Sequence, residues 1–182
     1  PQPQRTVRSA SCGDSRCDPA TRTCVGGGAC EGLRSISLGE ERNTPLCAYD
    51  DDHTYQPDAA MCRGMSRADS GDRIFELTLT APTRVTFELT DVDTGRAVDT
   101  VLYVRRACDE AGTQVLCADD VPCAASTAQP PACMDGVDVR QSRITADLPA
   151  GTYYIVVDAF RYSAGGLEFQ CGDVRLRVDR AG

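Results

Sequence analysis

The chain contains no lysine; all 19 of its basic residues are arginine. No flexible side-chain amine is therefore available for Schiff-base catalysis, although genomic base composition explains the absence without any functional cause. There is one histidine, His53, in the run Asp-Asp-His-Thr-Tyr. A Ser–His–Asp enzyme needs that imidazole beside a nucleophile and a buried orienting carboxylate. The run reads instead as an exposed loop, and no G-x-S-x-G accompanies it. A pair of carboxylates alone can run a glycosidase, but any acidic chain offers such pairs, so they carry no signal. No C-x-x-C occurs and His53 has no second nitrogen ligand nearby, which argues against a metal finger. No apolar run reaches the 18 residues of a membrane span. No signal peptide is visible, and the chain starts Pro-Gln-Pro-Gln without Met. A mature form whose leader was removed is the expectation, although a chain cut at an arbitrary point would begin in the same way. Positive charge is in short supply: the net charge is −8 at pH 7. That balance argues against nucleic acid, whose backbone demands a basic face, and is compatible with hard cations such as calcium.

Cysteine is abundant. Eleven occur among 182 residues, at 12, 17, 24, 30, 47, 62, 108, 117, 123, 133 and 171. Such a density without metal spacing implies a disulfide-stapled protein of an oxidising compartment, extracellular or at the cell surface. Each bond is expected to contribute about 2–4 kcal/mol. The count is odd, so one thiol stays free, is modified or pairs with another chain. Residues 1–32 hold Cys12, Cys17, Cys24 and Cys30, a Gly26-Gly27-Gly28 run and few large apolar groups. They are expected to form an extended arm followed by a small disulfide knot. Cys12–Cys24 with Cys17–Cys30 is one of three ways to pair it. Further along, Cys108 and Cys117 flank a short turn, Cys123 and Cys133 bracket a proline-containing loop, and Cys47 and Cys62 bracket an acidic loop. These three local pairs are expected, leaving Cys171 over; a different pairing would make another cysteine the spare one.

From residue 33 to 182 the pattern is that of one β domain. Phe75, Leu77 and Leu79 share one face of 73–80, and Val85, Phe87 and Leu89 share one face of 83–90. The short Ala81-Pro82 connection predicts a hairpin between them. Strands are also predicted at 34–38, 100–105, 114–117, 143–148, 152–158 and 172–179. No stretch of 11 residues carries a helical apolar stripe. About eight strands with period 2 predict an all-β, antiparallel β-sandwich or jelly roll with a small disulfide-rich N-terminal segment. Outward Arg, Thr and Glu should blunt its edges.

The segment Ser142-Arg-Ile-Thr-Ala-Asp-Leu-Pro-Ala-Gly-Thr-Tyr-Tyr-Ile-Val-Val-Asp158 resembles the signature of bacterial pre-peptidase C-terminal domains, which are secreted β-sandwich modules related in shape to collagen-binding domains. Asp99-Thr-Val-Leu-Tyr-Val104, Cys117-Ala-Asp-Asp120 and the closing Gly166-Leu-Glu-Phe and Val174-Arg-Leu-Arg-Val178 resemble further parts of the pattern. The resemblance spans about residues 33–180. It departs from the family in its cysteine-rich first segment and in lacking a peptidase. The resemblance implies a calcium site at Asp99, Asp119 and Asp120. Asp50-Asp51-Asp52 is a second, weaker acidic candidate that reads more readily as an exposed loop held by Cys47–Cys62. Tyr153, Tyr154, Phe160 and Tyr162 are candidates for a polysaccharide platform. Period 2 puts Tyr153 and Tyr154 on opposite faces and leaves Phe160 and Tyr162 for exposure.

Together these features predict a non-catalytic exported structural protein. It would be a subunit of an extracellular filament or surface assembly that self-associates through strand or arm exchange and disulfides. The alternative is a calcium-dependent secreted binding module for polysaccharide or an extracellular protein. A secreted hydrolase ranks last.

Overall fold

The computed structural model describes residues 16–17, 24–25, 30, 33–49, 62, 71–92, 98–119, 140–160, 162–164, 167–169 and 172–182. Its strands are β1 (Arg16–Cys17), β2 (Cys24–Val25), β3 (Arg34–Ser35), β4 (Glu40–Pro45), β5 (Arg73–Leu79), β6 (Thr83–Asp91), β7 (Thr100–Arg105), β8 (Gln114–Ala118), β9 (Arg143–Leu148), β10 (Gly151–Ala159), β11 (Tyr162–Ala164), β12 (Leu167–Phe169) and β13 (Asp173–Arg180). Two single 3-10 turns, Leu46–Ala48 and Ala111–Thr113, are the helical elements among the described residues. None is long and apolar enough to cross a membrane.

Nine strands build a β-sandwich. One sheet has the order β3-β5-β10-β7-β8 and the other β4-β13-β6-β9. All pairings in them are antiparallel except β3 with β5. β1 and β2 pair separately, with Cys17 opposite Cys24, as do β11 and β12. Alternation does what the sequence pattern requires. Phe75, Leu77 and Leu79 of one sheet, with Leu102, Tyr153 and Ile155, meet Val85, Phe87, Leu89, Val174, Leu176 and Val178 of the other in one buried cluster. Each such side chain taken fully out of water contributes about 1.5–3 kcal/mol.

β10 sits in the middle of the five-stranded sheet, and its residues from Ile155 to Ala159 are all buried. The outer face of this sheet is covered too. Ile74, Val101, Tyr103, Val156 and Phe160 form a second cluster with Cys62, Cys108 and Cys117. Sulfur ties that layer down. Cys30 bonds Cys108 and Cys62 bonds Cys117. Cys47 is also in a disulfide, and no described cysteine is free. Cys30 belongs to the cysteine-rich first segment, so that segment is joined covalently to the sandwich.

These bonds correct two expected pairings and exclude Cys17–Cys30, part of one of the three ways the first four cysteines could pair. Cys108–Cys117 does not form because Cys117 lies opposite Tyr103, well inside the β7–β8 ladder, whereas Cys108 lies beyond the end of β7. Cys47–Cys62 and Cys17–Cys30 do not form because Cys62 and Cys30 are taken by the sheet's outer face. Cys12, Cys123, Cys133 and Cys171 lie outside the described residues.

Two strand expectations also change. β5 and β6 are not a hairpin: they belong to different sheets, and residues 80–82 carry the chain across the sandwich. Both strands present three apolar side chains to the same interior, so they face each other instead of pairing edge to edge. β4 was not visible in the pattern. Only Thr44 of its six residues is buried, because it is an edge strand held by main-chain bonds to β13. Its entry is set by Gly39, whose φ of 85° favours glycine and whose N–H reaches Val178 O at 2.7 Å.

Gly71 marks a close approach: a Cβ there would lie 2.2 Å from Leu46 O and 2.3 Å from Tyr49 O. Gly71→Ala is expected to lower stability by about 1–3 kcal/mol, read by thermal unfolding. The described disulfides close separations of 78 and 55 residues. Replacing Cys62 and Cys117 together by Ser is expected to cost about 4 kcal/mol from chain entropy, checked by denaturant unfolding in non-reducing buffer.

Candidate functional site

The chemistry-bearing residues fall into two places: a polar cluster at one end of the sandwich and the outer face of the four-stranded sheet.

At the end, β7 is stitched to the start of β9 across the two sheets. Thr100 Oγ1 lies 3.0 Å from Ser142 Oγ, Ser142 N–H donates to Thr100 Oγ1 at 2.9 Å, and Ser142 Oγ donates to Thr100 O at 2.7 Å. These buried hydroxyls are consumed by the stitching. Asp99, 4% exposed, accepts from Arg140 Nη1 at 2.6 Å. Because Leu102 faces Ala118, Asp119 emerges two residues along from Asp99 on the neighbouring strand. The register thus brings Asp99 and Asp119 to the same end of the sheet, while Asp120 lies outside the described residues. A calcium ion needs several uncommitted oxygens, and here the better buried carboxylate already faces a guanidinium. No set of three or more His, Cys, Asp or Glu gathers around a metal position among the described residues. Asp50, Asp51, Asp52 and His53 are outside them.

Asp91 and Gln141 complete this end and were not singled out by the sequence. Gln141 Nε2 donates to Asp91 Oδ2 at 2.7 Å. Asp91 Oδ1 and Gln141 Oε1 are buried acceptors with no donor among the described residues. Burial pushes the Asp91 carboxyl up to about 6, against the opposing pull of the Val98 N–H and Gln141. Its inward position follows from the parity of Val85, Phe87 and Leu89, which sets every odd residue of β6 toward the interior.

The aromatic platform does not assemble as expected. Tyr153 is fully buried between the sheets, with its hydroxyl donating to Pro149 O at 2.7 Å. Phe160 is 5% exposed and belongs to the outer-face cluster, against which Tyr154 packs. Phe160 is a corrected expectation: the disulfide-bonded layer covers it. The side chain of Tyr162 is outside the described set.

The outer face of the four-stranded sheet is solvated and ordered by charge. Cross-strand register runs Glu41–Arg177–Glu88–Arg143 across β4, β13, β6 and β9. Arg177 approaches Glu41 at 3.4 Å and pairs with Asp179; Arg143 lies 3.9 Å from Glu88. The Asp179 hydrogen bond, then its charge, with Glu41 and Glu88 behind, holds the Arg177 guanidinium above its ordinary range. In the next row Asp179 faces Thr86, and Thr86 Oγ1 lies 2.8 Å from Thr145 Oγ1. Arg84 faces Asp147 in the row after that. A shallow depression of about 550 Å³ lies over these rows. Exposed pairs of this kind contribute about 0.2–1 kcal/mol each, so they add little to stability.

The main-chain phase fixes what β9 offers beyond the sheet. Leu89 N–H donates to Ser142 O at 3.0 Å. The regular β6–β9 register then directs the N–H and C=O of Ile144, Ala146 and Leu148 toward β6, and those of Arg143, Thr145 and Asp147 away from it. No described residue takes the backbone groups of Thr145 or Asp147.

Asp91 generates a pH prediction. Its folded value lies above the unfolded one, so the folded state holds the proton more tightly. The cost of burying its charge is fully present above about pH 6 and vanishes as pH falls below the ordinary value of 3.8. After discounting for solvent screening, Asp91→Asn is expected to stabilise by about 1–2 kcal/mol at pH 8 and to leave stability near pH 4 unchanged, measured by denaturant unfolding at both pH values.

No protein-family model matches the chain, and no curated protein matches it. Among solved structures, the chain is similar to the pre-peptidase C-terminal domain of a Bacillus anthracis collagenase, at 11% identity and a TM-score of 0.43 over 82% of this chain and 96% of that one. It is similar to a surface-associated copper-binding protein, CorA of Methylomicrobium album, at 14% identity and a TM-score of 0.43 over 82% and 98%. It is also similar to a cleaved adhesin domain of Lys-gingipain from Porphyromonas gingivalis, at 18% identity and a TM-score of 0.33 over 78% and 83%.

Proposed function

We propose that this is a non-catalytic, exported structural module, a subunit of an extracellular filament or surface assembly that binds copies of itself through main-chain pairing and disulfides. The observation that carries the reading is the β9 edge, where Thr145 and Asp147 turn their peptide groups away from a sheet whose other members are paired. Peptide groups directed away from a sheet are what a strand of another chain pairs with. The opposite edge, β4, has Pro45 and Glu41 in its outward positions, and both discourage pairing.

Export is supported by the oxidised cysteines, since such bonds persist in oxidising compartments. At the sandwich end the Thr100 and Ser142 hydroxyls bond each other, and the Asp99 and Asp91 carboxylates take Arg140 and Gln141. Among the described residues, both faces of the five-stranded sheet carry buried apolar clusters.

Negative-stain microscopy of native material, with electrophoresis in the absence of reductant, tests the assembly. Ordered fibres or arrays, and a ladder of chains that collapses on reduction, are the expected results. A monomer whose melting temperature rises with added Ca²⁺ and which forms no ordered particles would overturn the reading in favour of a calcium-dependent binding module.

A further inference from the structure

We propose that Asp91 and Gln141 form a proton-operated joint: on taking up a proton, Asp91 donates its O–H from Oδ1 to Gln141 Oε1 and closes a cyclic acid–amide pair that clasps the end of β6 to the chain entering β9. The joint works within one sandwich, whatever the module assembles with.

The main chain sets the two residues together. Glu88 lies opposite Arg143 in the β6–β9 ladder. Leu89 N–H, donating to Ser142 O at 3.0 Å, carries the pairing one step further, toward the end of β6 where Asp91 stands. There Gln141 Nε2 donates to Asp91 Oδ2 at 2.7 Å. Gln141 is 9% exposed, and the oxygens left over, Asp91 Oδ1 and Gln141 Oε1, are buried with no hydrogen-bond partner among the described residues. A carboxyl group and a primary amide are complementary: one N–H···O bond and one O–H···O bond close a ring between them. The first bond already holds the two planar groups together. A carboxylate has no proton for the second, so with Asp91 charged two buried acceptors each lack a donor, which is costly. With Asp91 protonated, the same two oxygens become donor and acceptor, and one proton satisfies both.

Burial drives the Asp91 carboxyl up to about 6, with the Val98 N–H and then Gln141 acting against it; no charged neighbour is among the causes. Glu88 of β6, Arg143 of β9, and Asp173 and Arg175 of β13 lie on the other side of the pleat, and Arg140 is held by Asp99. The joint acts on the stitching beside it. Ser142, which follows Gln141, donates its N–H to Thr100 Oγ1 at 2.9 Å and so ties the entry of β9 to β7 of the other sheet. A closed pair fixes Gln141 and steadies that stitch. Because the folded value is raised above the ordinary 3.8, the closed state holds the proton more tightly than the open one. Closing is therefore favoured as pH falls through about 6, and the gain is complete below 3.8.

Carbon NMR of the intact, oxidised protein reads the pair directly. Asp91 Cγ is expected to titrate with a midpoint of about 6, and Gln141 Cδ to move with the same midpoint as its carbonyl gains a donor. Between pH 8 and pH 5 the protection of the Ser142 amide against hydrogen exchange is expected to rise about tenfold. Asp91→Asn carries a permanent N–H in place of the acid proton and is expected to show the higher protection at both pH values. The parent titration needs no variant, so a variant that fails to fold leaves the test decisive. A Gln141 carbonyl that ignores the Asp91 titration, or an Asp91 midpoint at the ordinary 3.8, overturns the proposal. So does protection that rises with pH or on adding Ca²⁺, since a cation held between the two oxygens needs Asp91 charged.

Discussion

The structure depends on one constraint: alternate side chains of two sheets must be removed from water at the same time. Neither sheet can bury its apolar face alone, since Val85, Phe87 and Leu89 have meaning only against Phe75, Leu77 and Ile155 across the gap. This mutual burial decides that β5 and β6, joined by three residues, face each other instead of forming a hairpin. It also decides which side of β9 is spoken for. The inner residues Ile144 and Leu148 lock the strand's rotation, and the lock leaves the peptide groups of Thr145 and Asp147 directed outward.

The sulfur layer solves a different problem. The five-stranded sheet is apolar on both faces, as the burial of every residue of β7 shows. The four-stranded sheet covers one face. On the other, Ile74, Val101, Tyr103 and Val156 of the sheet pack with Cys30, Leu33 and Cys62, and the bonds of Cys30 to Cys108 and Cys62 to Cys117 tie those residues to it. Because the bonds join residues far apart in sequence, they restrict the unfolded chain strongly, where short local loops would restrict it less. Such bonds persist in oxidising compartments.

The polar residues divide by the same logic. At the sandwich end, Thr100, Ser142, Asp99, Arg140, Asp91 and Gln141 are paired inward and hold the sheets together. On the outer face of the four-stranded sheet, Arg84, Asp147 and Arg177 are exposed or partly exposed beside the half-buried Glu88 and Arg143, and the row Glu41–Arg177–Glu88–Arg143 alternates in sign. Inward pairing serves the fold; the outward pattern is what another molecule meets.

The sequence by itself determined the fold class and most of its strands, because period-2 burial is written in consecutive residues: the strands predicted at 73–80, 83–90, 100–105, 143–148, 152–158 and 172–179 correspond to β5, β6, β7, β9, β10 and β13. It determined also that the described cysteines are oxidised, since density and spacing left no metal or redox role. Only the tertiary structure decided which cysteines meet, because partners separated by 78 and 55 residues are set by how sheets stack and not by local spacing. The β4 edge, whose exposed residues carry no alternation, was likewise invisible in one dimension. So were the charge rows: Glu41, Arg177, Glu88 and Arg143 come from four strands, and their order across the sheet is a property of register that no single segment contains.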